Sequence, residues 1–196
     1  MNLRNEIEKY KPYNEQEEND KMLMLEFIDT FDDVLTRKNK LGHFTASVWA
    51  VNKERTKVLM VYHNIYKSWS WIGGHADGEE DLLKVAIKEL KEETGVKNPK
   101  VIDKNIFALD AICVQGHEKR GKYVSSHIHF DIAYLVEVEE NETLKIKEDE
   151  NSGVKWIKIE DIKKVSNEKW MIERVYNKMN EKLKKLGGNE NEKNIL

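Results

Sequence analysis

Hydrophobic and polar positions change period several times along the chain. Through residue 40 the reading is helical: Met22, Leu25, Phe27, Ile28, Phe31, Val34 and Leu35 recur at helical spacing. Asn14 and Glu17, just after Pro12, form a capping-box signal for that helix. From Gly42 the period becomes two. Over residues 43–52, Phe44, Ala46, Val48 and Ala50 alternate with Thr45, Ser47, Trp49 and Val51, which predicts a strand. Strand-like runs follow at 58–63, 69–72, 106–115, 123–138 and 154–159. In the long run His127, His129 and Asp131 alternate with Ile128, Phe130 and Ile132. Residues 116–121 read as a polar, basic loop, and Asn98-Pro99 as a turn.

Two further helices follow from the pattern. One runs from 79 or 80 to 94, with Leu83, Ala86, Ile87, Leu90 and Thr94 as its apolar stripe and Gly95 as a left-handed C-cap. The other runs from 167 to about 186, capped by Ser166 and ended by Gly187-Gly188. Its apolar side carries Trp170, Ile172, Val175, Tyr176, Met179 and Leu183, and the residues beyond it read as a frayed tail. Strands mixed with helices argue an α/β fold. The expected organisation is a helical extension over 1–40, a central α/β domain over 41–165, and a C-terminal helix with its tail over 166–196. The extension packs on the domain surface in the simplest reading; a homodimer contact or a lid over substrate are its alternatives.

Composition narrows the classes. A length of 196 residues suffices for a substantial core. A net charge of −3 gives no reason to expect a nucleic-acid partner. No run of eighteen apolar residues occurs, so no membrane partner is expected. The first residues lack an apolar signal-like stretch, and Cys113 is the sole cysteine, which fits a reducing cytoplasm. Cys113 lies in an apolar run and is expected to be a buried small residue.

The helix before Gly95 carries the chemistry. At about 100° per residue, Lys84, Lys88 and Lys91 form one stripe, and Glu89, Glu92 and Glu93 form another at i, i+3 and i+4. Three neighbouring carboxylates repel unless a cation sits among them. Hard ions such as Mg²⁺, with Mn²⁺ as the alternative, suit an all-oxygen site. Glycines 73 and 74 would let backbone approach a ligand closely. The plain alternative is a solvated charged face, in a chain that is 35% charged.

Spacing decides against that alternative. Gly74, Glu80, Glu89, Leu90, Glu92, Glu93, Gly95 and Val96 resemble the signature of the Nudix hydrolase superfamily at eight of its nine positions. The ninth, Lys88, stands where the family has arginine. A lysine cannot form the planar two-pronged contact that orients a carboxylate, although it can still pair with Glu92 at i+4. Ile72 stands where many relatives have proline.

The resemblance implies a fold and an activity. The fold is an α/β/α sandwich with a mixed β-sheet. The activity is hydrolysis of the diphosphate linkage in a nucleoside diphosphate joined to another group, with Mg²⁺ as cofactor. Gly74 (through its carbonyl), Glu89, Glu92 and Glu93 are the implied metal site, with Glu89 as either ligand or base. Glu150, or Glu148, on a downstream acidic loop would serve as the general base of some relatives. Lys88, His75, His127 and His129 are the candidates for contacting substrate. His127 and His129, two apart in a strand, share a face, but a pair of histidines without a third spaced ligand is weak evidence for zinc. Trp49, Trp69 and Trp71 are candidates for base stacking or for the core. With only Pro12 and Pro99, the chain lacks the downstream proline of the ADP-ribose subgroup. Two rivals stay open: a nucleotide-sensing domain that does not hydrolyse, and an isopentenyl-diphosphate-isomerase-like protein using Cys113.

Overall fold

The computed structural model describes residues 3–119 and 121–193. Helices α1 (Leu3–Lys9) and α2 (Glu15–Thr30) precede the central strand β1 (Gly42–Val51). Strands β2 (Lys57–His63), β3 (Ser68–Ser70) and β4 (Ile72–His75) lead into helix α3 (Leu82–Thr94). Strands β5 (Lys100–Val101), β6 (Ala108–Val114), β7 (His117–Lys119), β8 (Lys122–Val124), β9 (His127–Glu137) and β10 (Asn151–Lys158) follow. The chain closes with α4 (Ile162–Val165), α5 (Lys169–Met171), a π-turn over Ile172–Tyr176, and α6 (Asn177–Lys193).

The main sheet runs β10-β2-β1-β9-β5, with β3 on β2, β4 on β1 and β6 on β9. Its spine is the parallel pair β1–β9, in register from Gly42 opposite Ile128 to Val51 opposite Glu137. Every residue of β1 is buried, because both faces of the sheet are covered. On one face Phe44, Ala46, Val48 and Ala50 join Phe130, Ile132, Tyr134 and Val136. Leu82, Val85, Ala86 and Leu90 of α3 pack there, with Leu3, Ile7, Met24 and Phe27 from the two N-terminal helices. On the other face Trp49, Val51, Met60, Ala133 and Leu135 meet Val175, Tyr176, Met179 and Leu183. Truncating a residue such as Leu90 to alanine would cost about 2–5 kcal/mol, through lost burial and the cavity left behind.

The α/β/α sandwich with a mixed sheet is as expected, but several boundaries move. The first long helix ends at Thr30, so Val34 and Leu35 lie beyond it; Met24 is buried while Met22 is largely exposed. Asn14 does cap it, its Oδ1 accepting from the Glu17 N–H at 3.0 Å. The Glu17 carboxylate, though, does not return to Asn14. It accepts from the Tyr13 N–H and the Tyr10 hydroxyl instead. Residues 117–119 of the expected 116–121 loop form strand β7 instead, paired antiparallel with β8, while Arg120 lies outside the described residues.

The run over 123–138 breaks between β8 and β9. Cys113 is exposed rather than buried, on a strand whose ladder partner is β9. The C-terminal helix begins at Lys169, not at 167, and passes through Gly187 and Gly188 to Lys193; the end of the expected frayed tail, 194–196, lies outside the described residues. Trp170 is exposed and Met171 takes its place inside. A helix that gains packing partners on one face tolerates glycines that would stop an isolated one.

A buried ionic cluster ties the N-terminal helix to the rest. Lys178 of α6 lies 2.6 Å from Asp110 of β6 and 3.1 Å from Glu17 of α2, all three being buried. Lys182 adds a contact to Glu17 at 3.2 Å. Burial pushes the Glu17 carboxyl upward, but the two ammonium groups, the Tyr10 hydroxyl and the Tyr13 N–H outweigh it and hold the group below its ordinary range. Asp131, buried in β9, accepts from the Thr45 and Ser47 hydroxyls at 2.6 and 2.7 Å, and burial pushes it up to about 6.

Candidate active site

Strand β4 delivers the glycines. It pairs antiparallel with β1, Gly74 opposite Ala46 and Gly73 opposite Ser47. A Cβ at Gly73 would lie 2.5 Å from Ser47 Oγ, and one at Gly74 would lie 2.6 Å from Glu89 Cδ. Neither glycine serves a turn; each makes room. The turn proper is Asp77-Gly78, both at positive φ, with the Asp77 carboxylate held by both prongs of the Arg37 guanidinium at 2.7–2.8 Å.

Helix α3 then starts at Leu82, later than its sequence suggests, because Asp81 is the N-cap and accepts from the Lys84 N–H at 3.0 Å. Gly95 closes it in the left-handed region at φ 75°, its N–H donating to the Lys91 carbonyl. The buried side is Leu82, Val85, Ala86, Leu90, Glu93 and Thr94. Leu83 and Ile87, expected to face the core, only flank it.

The three glutamates divide. Glu89 and Glu93, one turn apart, face inward; Glu93 is only 6% exposed. Glu92 turns out toward solvent, where Lys147 reaches it at 3.2 Å and Lys88 at 3.5 Å. The third carboxylate near Glu89 and Glu93 comes from Glu150, half-exposed on the downstream acidic loop. Carboxylate oxygens of Glu89, Glu93 and Glu150 lie within 4.8 Å of one another.

The loop over 147–150 is pinned in place from two sides. The Asn151 side-chain amide donates to the Glu93 carbonyl at 3.0 Å, and the Asn64 N–H donates to the Glu150 carbonyl at 3.1 Å. Lys147, which the sequence did not single out, lies 2.9 Å from Glu150. Partial burial pulls the Lys147 ammonium down, yet its bonds to Glu150 and Glu92 hold it above the ordinary lysine range. An isolated lysine in a charged loop carries no signal of this; only the approach of the loop to α3 reveals it.

Electrostatics at the cluster favour a cation. Burial, then the charges of Glu89 and Glu150, push the Glu93 carboxyl up to about 9. Burial likewise raises Glu89, against the pull of Lys88 and Lys147. Glu92 goes the other way: burial pushes it up, but Lys147 and Lys88 outweigh that and hold it low. Glu93 Oε2 is buried without a hydrogen-bond partner. A buried, unpartnered carboxylate oxygen on a group clustered with two other carboxylates marks a site short of positive charge, and its all-oxygen donors suit Mg²⁺ or Mn²⁺. The residues present therefore fit a divalent ion.

Of the remaining candidates, Lys88 lies at the rim of the carboxylate cluster and the histidines lie on the other face of the sheet. Lys88 sits 3.4 Å from Glu89 and 3.5 Å from Glu92, mostly in solvent, where such pairs contribute little. His75 follows Gly74 in β4, so strand alternation turns it to the face away from Glu89. There it meets His129, with ring centroids 4.9 Å apart, and His129 meets His127. His43, opposite His129 in the β1–β9 ladder, completes this group. Its signal lay in parity: His43 shares the β1 face of Thr45 and Ser47. Trp49 is fully buried and stacked on Tyr176 at 5.5 Å, so it is a core residue; Trp69 and Trp71 are part-buried against the same face.

Comparison with known proteins agrees with this architecture. A "Probable DHNTP pyrophosphohydrolase" of Lactococcus lactis subsp. cremoris is 32% identical over 89 residues, 44% of this chain and 49% of that protein. The chain thus spans about half the length of that curated relative. A solved NUDIX-family hydrolase from Clostridium perfringens superposes with a TM-score of 0.52 at 25% identity, covering 74% of this chain and 97% of the other. A C. elegans Ap4A hydrolase superposes at 0.49 and 19% identity, covering 74% and 95%. The NUDIX domain model matches residues 42–177, most of the chain, and the protein belongs to the NUDIX family.

Proposed function

We propose that the protein is a metal-dependent pyrophosphohydrolase that cleaves the diphosphate linkage of a nucleoside diphosphate joined to another group. The carrying observation is the convergence of Glu89, Glu93 and Glu150 beside Gly74, with one Glu93 oxygen buried and unpartnered. Glu89, Glu93 and the Gly74 carbonyl would hold Mg²⁺ or Mn²⁺, with Glu92 as an outer ligand reached by exchange with Lys147. When bound, such an ion neutralises diphosphate oxygens and makes a coordinated water more acidic.

The chain's own residues do the rest. Glu150 accepts the proton of the attacking water, from a loop that Asn64 and Asn151 hold in place. Lys147 and Lys88 supply positive charge along the edge where the leaving phosphate develops its charge. Gly74 leaves the space that Glu89 occupies.

Three converging carboxylates and a pinned acidic loop favour hydrolysis over nucleotide sensing, since a sensor has no use for a base. The test is a panel of nucleoside-diphosphate derivatives with Mg²⁺ or Mn²⁺, read by product mass. DHNTP belongs in the panel because a relative carries that name. Turnover that disappears in Glu93→Gln supports the reading, and turnover unchanged in that variant overturns it.

A further inference from the structure

On the sheet face turned away from Glu89, four histidines meet: His43 of β1, His75 of β4, and His127 and His129 of β9. Their ring centroids lie 4.9–5.1 Å apart around the cluster. Register explains the gathering. The parallel ladder sets His43 opposite His129, and the antiparallel one sets His75 opposite Thr45, two residues along from His43 on the same side. Ring nitrogens of His43, His75 and His129 come within 4.8 Å of one another.

Proton placement makes this more than an aromatic cluster. A backbone carbonyl can only accept, so a ring nitrogen beside one carries the proton. His127 Nδ1 lies 2.8 Å from the Ser125 carbonyl oxygen, and His43 Nδ1 lies 3.4 Å from that of Asn39. In the neutral rings both Nε2 atoms are therefore left with a lone pair, that of His127 facing His129 Nε2. His43 is 4% exposed, and its Nε2 is buried with no hydrogen-bond partner. His127 Nε2 lies 3.1 Å from His129 Nε2, close to the roughly 3.3 Å separating two nitrogens bound about 2.05 Å from one tetrahedral zinc. A ring held by a carbonyl at Nδ1 and offering Nε2 inward is how metal-binding histidines are commonly oriented. A hydrogen bond between His127 and His129 accounts for that pair alone and leaves the buried His43 Nε2 without a hydrogen-bond donor.

We infer that His43, His75 and His129, with His127 able to complete the set, bind a borderline-soft divalent cation of the Zn²⁺ class at a second site, separate from the carboxylate cluster. Imidazole nitrogens select Zn²⁺ and its first-row neighbours over Mg²⁺, whereas the carboxylate oxygens prefer the reverse. Small side-chain rotations close the present 4.8 Å spread to a coordinating geometry. The bound ion would tie β1, β4 and β9 together.

Cobalt reads ligand type directly. The full chain, saturated with Mg²⁺ to fill the oxygen site, is titrated with Co²⁺ and followed by visible absorption, then challenged with Zn²⁺. One equivalent should give the intense bands of tetrahedral nitrogen coordination, which Zn²⁺ should abolish by displacement. Glu93→Gln should leave those bands intact. His75→Gln and His129→Gln, at half-buried positions, should weaken Co²⁺ binding by about 100-fold or more, at or beyond what loss of an outer-shell partner causes. Weak octahedral bands in the unaltered protein, no binding above the Mg²⁺-saturated background, or bands surviving both histidine variants would overturn the inference. The reading of the unaltered protein decides the matter even where a variant fails to fold.

Discussion

The Glu89 carboxylate occupies the space in which a side chain at Gly74 would sit, its Cδ 2.6 Å from the position of a Cβ there. Strand β4 and helix α3 are thus fitted through an absence of atoms. Gly74→Ala should push Glu89 aside, lowering turnover by about 100-fold, while costing about 1–3 kcal/mol from overpacking. Steady-state kinetics and urea denaturation of the variant check both numbers. Activity within about two-fold of the parent would remove the claim that this contact sets the Glu89 position.

Glu150 and Glu93 reach the same place from different elements, and their removal should differ in kind. Glu150→Gln should lower kcat by about 10²–10⁴, the usual range for loss of a general base, with metal affinity little changed. Glu93→Gln should weaken Mg²⁺ binding as well as turnover. Metal titrations of activity for the two variants separate the roles. Equal metal affinities in both would show that Glu93 is no ligand.

Lys88 touches Glu89 and Glu92 as a point charge at 3.4–3.5 Å, with most of its side chain in solvent. An arginine there could grip a carboxylate with two parallel bonds. Lys88→Arg should therefore raise kcat a few-fold with KM nearly constant. A fall in kcat would mean that the lysine ammonium has a task the guanidinium cannot perform.

Acid should weaken the grip of helix α2. The Glu17 carboxyl titrates below its ordinary value of 4.5 in the folded chain, so its contribution to stability is fully present above that pH and is lost as pH falls through the lowered folded value. Glu17→Gln should cost about 3 kcal/mol at neutral pH, because Lys182 loses its carboxylate and Lys178 keeps only Asp110. The variant should also show a flatter stability profile below pH 4.5. Denaturation curves at pH 7 and pH 3.5 for both proteins test this, and parallel profiles would contradict it.

Much of the architecture was legible because period-two and helical runs report burial directly. Phe44, Ala46, Val48 and Ala50 face the core that their alternation assigns, and the spacing from Gly74 to Val96 carries the family resemblance in the sequence itself. Tertiary approach was not legible. Glu89 and Glu93 separate from Glu92 because packing of α3 turns Val85 and Leu90 inward, which the choice of Leu83 and Ile87 as core missed. Lys147 gains its importance from where a loop lands. His43 carried no spacing signal toward His129, because the register of a parallel ladder between distant strands is not written in either strand alone. Gly187 and Gly188 read as a stop, yet the helix runs on through them.

The buried meeting of Glu17 with Lys178 also sets a schedule for synthesis. Helix α2 precedes α6 in the chain, so its inward Glu17 carboxylate acquires the Lys178 ammonium only after residue 178 has been added. Until then, seating that helix would strand a naked negative charge in the interior. Helix α2 is accordingly expected to dock late, waiting on α6 before it can lock.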